Sequence, residues 1–429
     1  MPTRNARRRH TAPRVAQPAC AVIGVLYAAY QAQADAIHPL REMARWATAR
    51  LVDAHEHTRP NSIVRALAAL CALLERAGLS HRRPAFGIAS VQVGEKGVAV
   101  HEEIADATPF AALLHFRKDT RTSQPPVLLV APLSGHFATL LRGTVETMLP
   151  DHDVYITDWQ NARDVSLAFG SFGFADYVAH VVRFLETIGP DAHVVAVCQP
   201  CVQVLAAIAI MADAGHPAQP RSMTLMAGPV DARVNPTRVN ELAASRSIEW
   251  FERNLISSVP LRFAGAFRRV YPGFVQLAAF MSMNLERHVN ALAAMFDDMA
   301  KGEVEKARAT QAFYDEYFAV SDLPAEFYLD TVRIAFQQHL LPRGTLECQG
   351  VHVDLNAIRR TALLTVEGER DDICSVGQTA AAHELCGGLK PYMKRHHMQA
   401  GVGHYGVFSG KRWASQIYPV VRNVILANS

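Results

Sequence analysis

At 429 residues and 47.1 kDa the chain exceeds the usual single-domain range, so a large domain carrying an insertion, or two domains, is expected. Half of its residues are hydrophobic and only 19% are charged, which excludes disorder as the dominant state. Of the net charge of +3, Arg4, Arg7, Arg8, Arg9 and Arg14 supply five positive charges in an acid-free start, leaving −2 for the remainder and excluding a nucleic-acid footprint in the body.

The Arg-rich start followed by "ACAVIGVLYAAY" has the outline of a signal peptide, but its apolar core is short and amphipathic spacing runs on through "YQAQADAIHPLREMARWATARLV". Residues 1–25 therefore read as a basic, disordered extension or a misplaced start ahead of an ordinary helix, with export as the alternative. Nothing elsewhere approaches ~18 uninterrupted apolar residues, so no membrane span is expected. Seven scattered cysteines form no disulfide framework, which fits a reducing, cytoplasmic setting.

Residues 28–80 read as two helices punctuated by Pro60 and Asn61. "GIASVQVGEKGVAVHEEI" and "FAALLHFRK" then read as strands, the first pair turning at "GEKG". From Val127 the pattern is strand, turn, helix, repeated through "VLLVA", "DVYITDW", "HVVAV" and "SMTLMAG". Short apolar strands separated by helices predict a mostly parallel, doubly wound sheet. Between Asp231 and Arg359 the alternation stops and aromatic-rich helical segments follow one another. "TALLTVEG" and "YMKRHHM" resume the strands, and "RWASQIYPVVRNVILA" supplies a last helix. The expected organisation is thus a core over 26–230 and 360–429, interrupted by a helical cap over 231–359.

The stretch "VVAVCQPCVQVLAA" holds a C-x-x-C, Cys198 and Cys201, where a strand turns into a helix. A redox dithiol suits the motif, since a helix N-terminus lowers a thiol pKa from ~8.5, but a thioredoxin-like unit places it after an early strand, not the third of a parallel series. A zinc site needs a second ligand pair, and Cys348, Cys374 and Cys386 show no matching spacing. The third reading is a nucleophile elbow with Cys198 projecting from a strand-to-helix turn, although Ala196 and Pro200 replace the glycines of G-x-S-x-G. The backbone N–H of Gln199 is then one oxyanion donor, and the "APLSGHFATL" loop offers Leu133 and Ser134 for a second. Downstream residues decide. In hydrolases of this topology the order is nucleophile, acid, histidine, and "LLTVEGERDDI" supplies Asp371, with Asp372 as its rival, while "AGVGHYGVF" supplies His404. The glycines of that last loop also spell G-x-G-x-x-G, but no Asp or Glu follows Glu384, so a dinucleotide site is not supported.

With these residues in view, the chain resembles the intracellular polyhydroxyalkanoate (poly-3-hydroxybutyrate) depolymerases. The resemblance runs from about Leu26 to the C-terminus through strings such as "LYAAYQAQADAIHPLREMARWA", "APLSGHFATLLRGTV", "VCQPCVQVLAA", "GPVDARVNPTRVN", "TVEGERDDI" and "GHYGVFSGKRW". It implies an α/β-hydrolase fold with a cysteine nucleophile at Cys198, its acid at Asp371 and its base at His404. Cys201 falls where the family does not require a thiol. The resemblance further implies no cofactor or metal, and a partner in the polymer and granule surface, in the cytoplasm. Trp250, Phe251, Phe263, Tyr271, Phe274 and Phe280 in the cap form the candidate surface for the polymer chain, with Trp250, Tyr271 and Phe274 foremost, although most cap aromatics belong to a core. A polyhydroxyalkanoate synthase, an acyl transferase to coenzyme A and a non-catalytic granule scaffold are the alternatives. Oligomeric state is not readable.

Overall fold

A computed structural model describes residues 19–57, 62–283 and 285–429. The basic start up to position 18, and the Pro60–Asn61 break, lie outside the described residues; helix α1 (Ala19–His57) already begins at Ala19 and continues through Pro39. It is followed by α2 (Ser62–Glu75).

The sheet has nine strands: β1 (Ser90–Val93), β2 (Lys96–Ala107), β3 (Ala111–Lys118), β4 (Pro126–Val130), β5 (Asp153–Trp159), β6 (His193–Val197), β7 (Ser222–Met226), β8 (Ala362–Gly368) and β9 (Lys394–Gln399). Their spatial order is 1-2-3-5-4-6-7-8-9. The β1–β2, β2–β3 and β3–β5 pairs are antiparallel. All pairs from β5 to β9 are parallel. Sequence pattern explains the difference. β6, β7 and β8 are apolar runs buried at every position, as strands covered by helices on both faces must be. β2 carries His101, Glu102, Glu103 and Asp106 and stays mostly exposed, as befits the outer part of a sheet.

Successive residues of a strand face opposite sides, and the core divides accordingly. Leu128, Val130, Val194, Ala196, Leu225 and Leu363 pack with helices α4 (Phe174–Ile188) and α5 (Cys201–Asp213). Val127, Leu129, Val195, Val197, Leu364 and Val366 pack on the other face with Val145 and Met148 of α3 (Arg142–Met148) and with Trp413 and Val421. In α4 the buried positions are Phe174, Tyr177, Val178, Val181, Phe184 and Leu185, the one-sided stripe of a surface helix. In α5 ten of thirteen residues are buried, so its inner end is surrounded by protein.

Between β7 and β8 the chain leaves the sheet and forms a run of helices: α6 (Arg238–Ser245), α7 (Ile248–Leu255), α8 (Gly273–Met283), α9 (Leu285–Lys301), α10 (Val304–Tyr317) and α11 (Ala325–Thr331). A small sheet of Ser257–Ser258, Arg269–Tyr271 and Leu323–Pro324 sits among them; strands two or three residues long carry no readable alternation. α2 packs on this insertion through Ala69 and Ala72 against Met295, Met299 and Ala307. α1 is tied to it by Tyr27, whose hydroxyl donates to the buried Asp322 carboxylate.

Several buried histidines are held below their ordinary value, with burial outweighing the nearby acids. Burial pulls His136, His152 and His193 down to about 4, and burial with the nearby Arg163 charge pulls His81 down to about 3. The unfolded chain takes up these protons first, so this contribution is complete above pH ~6.5 and is lost as pH falls toward 4, by up to roughly 1.4 kcal/mol per histidine per pH unit. Urea midpoints are therefore expected to fall steadily from pH 7.5 to pH 5; a flat profile contradicts the assignment.

Candidate active site

The site is built at the C-terminal ends of β6 and β8, where a parallel sheet leaves its crevice. After β6 the chain reverses into α5 within three residues, Cys198 to Pro200. Cys198 has φ 67°, a left-handed conformation that costs a non-glycine residue ~1–3 kcal/mol. Three contacts hold it. The Cys198 N–H donates to the Met226 carbonyl at 2.7 Å, its carbonyl accepts from Cys201 at 3.2 Å, and Gly228 lies against it. A Cβ on Gly228 would stand 2.5 Å from the Cys198 oxygen and 2.3 Å from both Cβ and Sγ of Cys201. The close approach that G-x-S-x-G assigns to flanking glycines is supplied here by a glycine on the neighbouring strand's loop.

The two thiols of the C-x-x-C have opposite surroundings. Cys198 is half-buried and Cys201 fully buried. The Cys201 thiol reaches the carbonyls of Ala196 at 3.6 Å and Met226 at 3.7 Å, and burial, with the nearby Cys198 charge, raises it far above the ordinary thiol range.

Asp371 follows β8, its N–H donating to the Gly368 carbonyl. Its Oδ1 accepts from the N–H groups of Ile373 at 2.9 Å and Cys374 at 2.8 Å. Its Oδ2 accepts from His404 Nδ1 at 2.8 Å. Asp372, the rival acid, makes no such bond to His404 and lines a cavity instead. The loop bearing Asp371 is braced by Glu367, whose carboxylate accepts from Gly377, Thr379 and Ala380. Thr379 bonds both polar groups of the Gly228 backbone, so acid loop and elbow share one network.

His404 sits on a short turn after β9, with its ring edge-on to Phe408. Burial alone pulls an imidazole down, but the Asp371 carboxylate and the Cys198 sulfur outweigh it, through charge and hydrogen bonding, and hold His404 well above its ordinary value. The structure thus brings Cys198, His404 and Asp371 together. Among the described residues no acceptor takes the backbone N–H of Gln199, Leu133 or Ser134. Such an arrangement can transfer a proton from thiol to imidazole and leave free donors for a developing oxyanion.

His404 opens onto a cavity of 640 Å³. Tyr405, Arg370, Asp372, Gly401 and Gly403 form its core-side wall, and Phe280, Arg287, His288, Phe313, Tyr314 and Tyr317 close it from the insertion. Tyr405 packs against His404, Tyr317 and Phe313. Of these aromatics Phe280 alone was among the sequence candidates, and of the others only Tyr405, adjacent to His404, carried a local signal. Trp250, Tyr271 and Phe274 are placed elsewhere. Tyr271 is buried and stacked on Tyr328, Phe274 is stacked on Tyr30, and Trp250 packs on Phe251 with Arg246 over its ring. Among the described residues no group of three or more His, Cys, Asp or Glu is placed to hold a metal ion, and no helix is long and apolar enough to cross a membrane.

The strand order, the left-handed Cys198 between β6 and α5, and an acid and histidine following β8 and β9 define an α/β-hydrolase. Residues 227–429 match the family model described as PHB de-polymerase C-terminus. That match, over the C-terminal part of the chain, supports an ester hydrolase. No curated protein sequence matches. Similar solved structures include a carboxylesterase of Nitrososphaera gargenis (12% identity, 79% of this chain and 100% of that one, TM-score 0.41). A bromoperoxidase of Bacillus anthracis (11%, 77% and 100%, 0.43) and a 2-hydroxy-6-oxo-6-phenylhexa-2,4-dienoate hydrolase of a Rhodococcus strain (11%, 77% and 99%, 0.40) are others.

Two outcomes follow from the packing of the elbow. Brief treatment of the native protein with iodoacetamide is expected to label Cys198 and spare Cys201 until the chain is denatured; peptide mass mapping that finds both labelled equally contradicts this. Gly228→Ala is expected to destabilise the fold by ~1–3 kcal/mol, because Cys201 and the Cys198 backbone have no room to yield.

Proposed function

We propose that the protein is an intracellular depolymerase that hydrolyses ester bonds of polyhydroxyalkanoate, in particular poly-3-hydroxybutyrate, at storage granules in the cytoplasm, with the helical insertion as its cap. The observation that carries the reading is the convergence of Cys198, His404 and Asp371 at the end of the parallel sheet, in a chain whose residues 227–429 match the PHB depolymerase model.

His404 takes the thiol proton, and the Cys198 sulfur attacks the ester carbonyl carbon. The resulting oxyanion is received by the backbone N–H of Gln199 and of Leu133 or Ser134, each worth on the order of 10²- to 10³-fold in rate. Collapse breaks the C–O bond, and the leaving alcohol takes its proton from His404. A water then gives a proton to His404 and attacks the thioester, and expulsion of the Cys198 sulfur releases the hydroxyacyl product as an acid. Asp371 receives Nδ1–H throughout and keeps the other ring nitrogen turned toward sulfur and substrate. The apolar, aromatic cavity supplies a dry surface for a methyl-bearing polyester segment.

Incubation with native amorphous granules, and separately with 3-hydroxybutyryl-CoA, tests the reading. Soluble hydroxyacids are expected from the granules. Polymer growth from the thioester makes the protein a synthase instead, products appearing only with free coenzyme A make it an acyl transferase, and neither reaction leaves a granule scaffold. Cys198→Ala and Asp371→Asn are each expected to reduce acid release by ~10⁴-fold, whereas Cys201→Ala and Asp372→Asn keep most of it.

A further inference from the structure

The cavity beside His404 has an aromatic interior, but its charged residues are distributed unevenly. Arg287 projects from α9 on the insertion, and Arg370 from the segment leaving β8. Both are exposed. The Arg370 N–H is pinned to the Val402 carbonyl at 2.9 Å, which fixes it beside the histidine loop. The Arg287 charge acts on the Tyr314 and Tyr317 hydroxyls beside it on the insertion. Facing them, the cavity has one carboxylate, Asp372. Among the described residues neither guanidinium makes an ion pair or hydrogen bond through its side chain. Elsewhere exposed arginines divide: Arg183, Arg262 and Arg269 pair with Asp106, Asp35 and Glu252, while among the described residues Arg121, Arg238 and Arg359 make no ion pair, so the cavity's two are set apart by their place beside His404.

We propose that Arg287 and Arg370 receive the free carboxylate at the end of a polyester chain, so that the protein works from the carboxyl terminus of short oligomers. This rests on the function proposed above. Guanidinium groups bind carboxylates by paired N–H donors, and two of them at the mouth of an apolar cavity suit an anion that drags a hydrophobic tail inward. With the carboxylate at the mouth and the scissile carbonyl at Cys198, the carboxylate-bearing part is the alcohol side of the ester. Attack by the Cys198 sulfur breaks the C–O bond, this hydroxy acid leaves with the His404 proton, and the remaining acyl chain stays on sulfur until water releases it. Each round regenerates a chain with a new carboxyl terminus.

The test compares the linear trimer of 3-hydroxybutyrate as free acid with its methyl ester, reading kcat and KM separately. The free acid is expected to be favoured by about tenfold in kcat/KM, mainly through KM. Arg287→Gln and Arg370→Gln are each expected to shrink that ratio, and the double variant to bring it near one. A ratio near one in the unaltered protein, or one untouched in the double variant, overturns the inference while hydrolysis of the methyl ester leaves the depolymerase reading standing. Absence of turnover on trimer, methyl ester and granules alike overturns that reading instead. Calorimetric binding to the Cys198→Ala variant then still decides the carboxylate site, which fails if free acid and methyl ester bind equally, or if inorganic phosphate displaces the free acid as well as a short-chain carboxylate does.

Discussion

The left-handed backbone of Cys198 is the constraint on which the site depends. A residue in that conformation cannot be held by its own helix or strand, because it belongs to neither. It is held from the side, by the Met226 carbonyl and by the packing of Gly228 against the turn. Both lie where β7 gives way to its loop, so the parallel pairing of β6 with β7 sets the elbow's position. The cost of the strained torsion, ~1–3 kcal/mol, is small against the burial of two fully buried, mostly apolar strands and α5 around it.

The acid and histidine depend on the same sheet from its other end. β8 pairs in parallel with both β7 and β9, so the loops carrying Asp371 and His404 leave neighbouring strands on the same edge as the elbow. Thr379 joins the acid loop to Gly228, and Glu367 holds that loop by three backbone donors. A shift of the acid loop is therefore felt at the elbow. The insertion completes the enclosure: α10 brings Tyr314 and Tyr317, and α9 brings Arg287 and His288, to the cavity at His404, and α2 supports α9 from behind.

Much of this was legible in the residues, for a physical reason. Buried parallel strands must be apolar, and loops following them must carry the chemistry, so the strand–turn–helix rhythm and the order of Cys198, Asp371 and His404 could be read directly. The choice of Asp371 over Asp372 rested on turn spacing, and the structure gives the His404 bond to Asp371. The cavity wall was not legible. In an all-helical insertion rich in aromatics, periodicity marks which residues are apolar but not which face turns toward the sheet. Trp250, Tyr271 and Phe274 have the same residue types as Phe280, Phe313 and Tyr317, yet the first three pack within the insertion and against α1, and the second three line the cavity. Nor could Gly228 be recognised as the missing elbow glycine, since its role arises only when β6 and β7 are adjacent.

The C-x-x-C shows how far three residues of separation can divide two identical side chains. Cys198 stands in the turn, where its sulfur is reachable and meets His404. Cys201 opens α5 and points back between the ends of β6 and β7, where its sulfur meets only carbonyl oxygens and the face of Gly228. Burial raises the Cys201 thiol far above the ordinary range and outweighs the backbone hydrogen bonds there, so it remains a neutral, space-filling group with a weak S–H bond. Its size is nonetheless constrained. With Cβ and Sγ both against Gly228, a larger side chain at 201 pushes on the elbow itself, and a smaller one leaves a void beneath the strained residue. Cys201 thus supports the turn at Cys198 by occupying volume against Gly228.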